Sequence, residues 1–154
     1  EARLRCYGRA SGARVTLLRI PGIYALDRDG GDPRERVARG APVLAAEDDV
    51  YTNHIHADDL ARACLAALHR GRPQRAVHVC DDSERTMGEH YALVAALAGL
   101  PPPPRLSRTE AAERLSPVAL SFWSESRRLS NRRLKRELRV ALRFPDVRDA
   151  LVAG

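Results

Sequence analysis

The densest group of chemistry-bearing side chains is His54-Ile-His56-Ala-Asp58-Asp59. Two imidazoles at i and i+2 of an extended segment project to the same side. With a neighbouring carboxylate they have the donor types that hold a divalent cation. The same spacing describes a strand end followed by an Asp-capped helix, with one His turned toward a cleft. No later segment offers an obvious remaining ligand set, because His69, His78 and His90 stand alone. The strand-end reading is therefore the expected one, and no metal site is expected. A second candidate is Leu18-Arg-Ile-Pro-Gly-Ile-Tyr24, an apolar run that stops in a tight turn. Loops at the carboxyl ends of parallel strands diverge and leave a crevice for ligands. Gly22 would let backbone approach a ligand closely. The alternative is that Pro21-Gly22 only turns the chain, and both readings stay open.

Several catalytic patterns are missing. No Gly-x-Gly-x-x-Gly or Gly-x-x-x-x-Gly-Lys run is present to cradle phosphate, and no Gly-x-Ser-x-Gly elbow exists. Tyr7, Tyr24, Tyr51 and Tyr91 are followed four residues on by Ser11, Arg28, Ile55 and Ala95, so a Tyr-x-x-x-Lys pair is also missing. Cys6, Cys64 and Cys80 form no Cys-x-x-Cys pair and lie in apolar or helical stretches. Buried, inert thiols in a cytoplasmic protein are expected.

The elements that position these residues read as follows. A helix ends near Ser11 and is closed by Gly12. Val15 to Ile20 reads as a buried strand of the kind a two-sided parallel sheet covers. Asp27 to Asp32 is a loop, and Pro33 to Arg39 is a short helix with Pro in its first turn. Val50 to Ile55 is extended. A helix then runs from an Asp58 cap to His69, with Leu60, Ala63, Cys64, Ala67 and Leu68 on its apolar stripe. Ala76 to Cys80 is a strand. Thr86-Met-Gly-Glu89 is a capping box that opens a helix with Leu93, Ala96, Leu97 and Leu100 on one face, ended by Gly99 and Pro101. After the prolines come a short helix near Thr109 to Leu115 and an irregular segment through Trp123. A helix from Asn131 to Leu138, a strand-like Ala141 to Phe144 and a terminal helical turn complete the chain. The order argues an α/β class.

With 154 residues, 44% of them hydrophobic, the chain suits one domain with a real core. No apolar run approaches the roughly 20 residues of a membrane span, so no membrane partner is expected. It begins at Glu1 with no basic-then-apolar leader, so no signal peptide is read, and the missing methionine raises the expectation of a piece of a longer chain. The net charge of +6 rests on 25 arginines and one lysine. Eight basic residues lie between Arg127 and Arg143, interleaved with Leu129, Leu134, Leu138 and Leu142. That spacing reads as a solvated helix face more than a phosphate-tracking one. The cluster holds no aromatic residue to stack on bases, so nucleic acid is not an expected partner.

Taken in order, Val15-Thr-Leu-Leu-Arg19, Pro21-Gly-Ile-Tyr24, His54-Ile-His-Ala-Asp-Asp-Leu-Ala-Arg-Ala63, Val77-His-Val-Cys-Asp-Asp82, Ser130-Asn-Arg-Arg-Leu-Lys-Arg-Glu-Leu138 and Phe144-Pro-Asp146 carry a resemblance. The chain resembles the carboxyl-terminal half of the NAD(P)-dependent epimerase/dehydratase family, the extended and atypical short-chain dehydrogenases. The resemblance implies the carboxyl-terminal part of a Rossmann-like parallel sheet plus a small, mainly helical substrate-binding lobe over residues 1–154. It also implies that the glycine-rich loop and the Tyr-x-x-x-Lys pair lie upstream of Glu1, so no catalytic residue is expected in this portion. The implied cofactor is NAD or NADP. Pro21, Gly22, Ile23 and Tyr24 would lie against its nicotinamide end, and His54 and His56 would border the substrate cleft. The implied activity is that of an oxidoreductase or epimerase on a hydroxyl- or carbonyl-bearing small molecule. This portion alone is expected to be inactive. The alternative is a non-catalytic dinucleotide-sensing or partner-binding module on the same fold. Nucleotide-sugar members usually carry Asn in place of Gly22, Gly-Pro in place of Ala25-Leu26 and a phosphate-clamping Arg in place of Thr52, which weakens a nucleotide-sugar substrate. Uncovered strand edges leave a homodimer open.

Overall fold

A computed structural model describes residues 1–153. The elements in chain order are α1 (Ala2–Ser11), β1 (Leu17–Arg19), β2 (Gly22–Tyr24), α2 (Pro33–Ala38), β3 (Val43–Leu44), a 3-10 turn (Ala46–Asp48), β4 (Tyr51–Thr52), β5 (His54–His56) and α3 (Ala57–Arg70). They continue with β6 (Ala76–His78), β7 (Arg85–Thr86), α4 (Met87–Ala98), β8 (Arg105–Leu106), α5 (Arg108–Arg114), α6 (Pro117–Trp123), α7 (Arg132–Arg136) and α8 (Val147–Ala153). β1 pairs with β6, β2 with β5 and β3 with β8, all parallel; β4 pairs with β7 antiparallel. The chain is α/β, with short parallel strand pairs set among many helices.

Local chemistry sets most boundaries. Gly12 closes α1 at φ 72°, a left-handed conformation that costs glycine little. Asp32 caps α2 by accepting from the Arg34 amide at 2.8 Å, and Pro33 fills the first helical position. The capping box of α4 is complete: Thr86 Oγ1 accepts from the Glu89 amide, and the Glu89 carboxylate accepts from the Thr86 amide. Three buried clusters form the core. One gathers Tyr24, Val37, Val94 and Phe144; a second gathers Ile55, Val77, Leu134 and Leu138; a third gathers Leu44, Val50, Leu106 and Trp123. Leu134 and Leu138 are thus the inner face of the Arg-rich segment. Lys135 pairs outward with Asp82 at 2.6 Å, and Arg143 with Asp58 at 3.4 Å.

Several expectations are corrected. The strand expected over Val15 to Ile20 is only Leu17–Arg19, with Arg19 and Ile20 exposed, because β1 has a strand neighbour on one side alone among the described residues. The extended run at Val50 to Ile55 is two strands with different partners. α3 is capped by His56, whose Nδ1 accepts from the Asp58 amide at 3.2 Å, and not by Asp58. Its Ala63 is buried, but Cys64 and Leu68 of the expected stripe are exposed. The buried face of α4 holds Gly88, His90, Val94 and Ala95 in place of Ala96 and Leu97. The segment through Trp123 contains a helix, α6, and Ala141 to Phe144 is not a strand. Cys6 and Cys64 are exposed; only Cys80 is buried, where its thiol is pushed up to about 12 by desolvation and the nearby Asp81 and Asp82 carboxyls. No helix among the described residues is long and apolar enough to cross a membrane.

Candidate functional site

The two segments singled out in the sequence, 32 residues apart from Gly22 to His54, lie side by side. β2 and β5 run parallel in the register Gly22↔His54, Ile23↔Ile55, Tyr24↔His56. A cleft of about 1250 Å³ opens here, with Pro21, Gly22 and His54 in its lining. Ile23, Tyr24 and His56 do not line it. Tyr24 is buried beneath, its ring edge-on to His54 and His56 at 6.5 and 5.2 Å between centroids. Desolvation and the nearby carboxylates of Asp81 and Asp146 hold the Tyr24 phenol well above its ordinary range. His56 is occupied by its capping bond and by Phe144, whose ring centroid is 4.0 Å away.

Of the two imidazoles of β5, His54 is the one at the cleft. Its Nε2 lies 3.4 Å from Thr52 Oγ1, and its ring stacks on His90 at 3.9 Å with 20° between planes. Burial depresses His54 to about 4 and drives His90 well below its usual value. Both rings are therefore neutral at pH 7, since a stacked pair out of water disfavours two charges. A neutral imidazole of such low basicity orients a hydroxyl or carbonyl by hydrogen bonding and is a weak proton acceptor. Gly22 leaves room for this ring: a Cβ there would stand 3.0 Å from His54 Cδ2 and push the imidazole aside by a few tenths of an ångström. The close approach that glycine permits is to the imidazole ring.

The floor and far wall are fixed by contacts that the sequence did not reveal. The Asp81 amide donates to the His54 carbonyl at 2.8 Å, and the Asp81 carboxyl accepts from the Ser83 amide at 3.0 Å. Desolvation raises that carboxyl to about 6 against the Ser83 hydrogen bonds, with help from Asp146. Asn53 Nδ2 donates to the Arg127 carbonyl at 2.7 Å, and its Oδ1 accepts from the Leu129 amide at 2.9 Å. That clip holds the segment after α6 against the strand pair. Asn131 Nδ2 donates to the Cys80 and Asp81 carbonyls, both at 3.0 Å. Asp59, fully buried, accepts from the Arg143 and Phe144 amides at 2.8 Å each. No local pattern marks the Asn53, Asn131 and Asp59 contacts, because those partners lie 50 or more residues away in sequence. Among the described residues no three His, Cys, Asp or Glu side chains group as a metal ion requires.

A conserved protein of unknown function from Silicibacter pomeroyi superposes with a TM-score of 0.75 and 33% identity, over 90% of this chain and 47% of that one. A nucleoside-diphosphate-sugar epimerase from Pseudomonas aeruginosa gives a TM-score of 0.76 at 21% identity, over 98% of this chain and 49% of that one. The fold is that of the NAD(P)-dependent epimerase proteins. A human epimerase family protein in complex with NADPH shares this epimerase fold with a TM-score of 0.72 at 19% identity, over 90% of this chain and 47% of that one. The chain spans about half the length of each of these structures, consistent with the carboxyl-terminal half of the epimerase fold. No protein-family model matches the sequence, and no curated protein matches it.

Proposed function

We propose that the chain is the substrate-lobe portion of an NAD(P)-dependent oxidoreductase or epimerase acting on a hydroxyl- or carbonyl-bearing small molecule. The observation that carries the reading is the parallel pairing of β2 with β5, which puts Pro21, Gly22 and His54 together on one cleft. Crevices of this kind, at the ends of parallel strands, are where open α/β sheets hold ligands. The residues suit the nicotinamide end of a dinucleotide and not its pyrophosphate. Ile20, 43% exposed, and Pro21 form an apolar wall for a flat ring, and Gly22 projects no side chain. No glycine-rich phosphate loop accompanies them. When bound, the nicotinamide supplies or accepts the hydride. Pro21 and Gly22 position its ring, and His54 orients the substrate oxygen through a neutral imidazole. The acid–base pair for proton transfer belongs to the other half of the fold.

Fluorescence titration with NADH and NADPH tests this division. The 154-residue chain is expected to show no micromolar binding, and binding is expected to appear when the cofactor-loop half is supplied. Micromolar binding by the chain alone would overturn the assignment.

A further inference from the structure

The lining of the cleft says what kind of molecule it takes. Two arginines face it, and each is already neutralised. Arg19 makes a two-point pair with Glu1, Nε to Oε1 at 2.7 Å and Nη2 to Oε2 at 3.0 Å, and Arg127 pairs with Glu125. The four charged side chains of the lining therefore cancel. At the rim, Arg128 pairs with Glu84 and covers the Tyr51 ring at 5.2 Å. The polar side chains of the wall are largely engaged as well. Asn53 spends its amide on the Arg127 carbonyl and the Leu129 amide, and Thr52 faces His54. Ser121 and Ser124 donate to the Val118 and Ser121 carbonyls at 2.7 Å. What the wall leaves open is apolar: Leu18, Ile20, Pro21, Met87, Phe122 and Leu129. Phe122 is 69% exposed and Ile20 43%, unusual for large apolar side chains lining a single cleft. Among the described residues, the Tyr51 hydroxyl and the neutral His54 ring remain to meet a lone hydroxyl or carbonyl, since His78 Nε2 lies 3.5 Å from Arg19 Nη1.

We infer that the cleft accepts an uncharged, mainly apolar molecule bearing a hydroxyl or carbonyl group, and not a nucleoside-diphosphate conjugate. A diphosphate needs unpaired cations or oriented amides to replace its hydration. Here each arginine brings a carboxylate with it, so an anion entering the cleft meets as much repulsion as attraction. An apolar ring or chain instead removes Phe122 and Ile20 from water, the term that dominates binding in pockets with few polar anchors. The inference rests on the proposed role of this cleft as a substrate site and specifies the substrate class.

Amide chemical-shift titration of the full chain separates the cases, with cyclohexanone as the neutral ligand and UDP as the anionic one. Cyclohexanone at millimolar concentration is expected to shift the amides of Gly22, Phe122 and Leu129, with UDP leaving them in place. Phe122→Ala, a substitution at an exposed position, is expected to weaken the cyclohexanone response at least threefold while the remaining spectrum keeps its dispersion. UDP shifting the cleft amides, with or without cyclohexanone, would overturn the neutral-ligand inference and leave the substrate-site reading standing. Silence with both ligands would overturn the two together.

Discussion

The two parallel strand pairs beside the cleft are built from similarly apolar sequence and sit in opposite surroundings. β2–β5 is enclosed along β5, where His54, Ile55 and His56 are all buried together with Tyr24, while Gly22 and Ile23 of β2 stay exposed. β1–β6 is open along one side. Burial falls from Leu17 through Leu18 to Arg19, and the neighbouring face of α3 presents Leu65 at 60% and Leu68 at 78% exposure. A groove of about 380 Å³ with Leu18, Leu65 and Leu68 in its walls runs between strand and helix. Apolar character decides which side chains can be buried, and the presence of a covering layer decides which ones are. In the proposed reading the other half of the fold covers the β1–β6 side.

The sharpest way to break this contrast is to truncate one residue on each side. Ile55→Ala empties a fully buried site and is expected to cost about 3–4 kcal/mol. Leu68→Ala is expected to cost less than about 0.5 kcal/mol. Denaturant midpoints measure both, and equal losses would remove the distinction.

Asp59→Ala comes next, at about 2–3 kcal/mol, because two backbone amides, Arg143 and Phe144, lose their acceptor, and Phe144 is buried. Asp59→Asn keeps one acceptor oxygen and is expected to lose less.

Acid probes the enclosed side specifically. His54 is depressed from 6.5 to about 4, so its neutral form contributes stability above pH 6.5 that is lost as pH falls toward 4. The loss amounts to about 2 kcal/mol by pH 5. His90, depressed by the same desolvation, adds to it. Asp81 has the opposite sign: its carboxyl is raised from 3.8 to about 6, so its contribution is present below pH 4 and lost as pH rises through 6. The chain is therefore expected to lose stability from pH 7 to pH 5, with the Asp81 gain partly offsetting the histidines. Asp81→Asn removes the offset and is expected to steepen the fall. A flat or reversed profile in urea unfolding would contradict the buried neutral pair.

The smallest effect is expected at the open face. Leu68→Lys should leave the unfolding midpoint within about 0.5 kcal/mol of the parent and reduce self-association in sedimentation experiments. Unchanged association would place any contact between copies elsewhere.

Much of the frame was legible because its signals are local. Gly12 turns left-handed at a helix end, and Asp32-Pro33 and Thr86 with Glu89 satisfy backbone groups within four residues, so composition and spacing reveal them. Ser116 and Pro117 carried the same kind of signal for α6, where Ser116 accepts from the Ala119 amide, yet the surrounding serines read as irregular. The cap of α3 was misplaced by two residues because an imidazole took the role usually filled by a carboxylate. At the site, the Pro21-Gly22 turn and His54 stood out each within its own segment, while the pairing that joins them left no local signal. The clips by Asn53, Asn131 and Asp59 did not, since each joins distant segments through a single polar side chain. Likewise, Leu65 and Leu68 cannot show in sequence whether their layer is present.

The central claim is that this fold works as one half of a dinucleotide-dependent enzyme. Intact mass and amino-terminal sequencing of the native protein from its source test it most directly. The account predicts a product about twice as long, with a glycine-rich first turn and an acid–base pair ahead of Glu1. A native product of 154 residues beginning at Glu1 would contradict it.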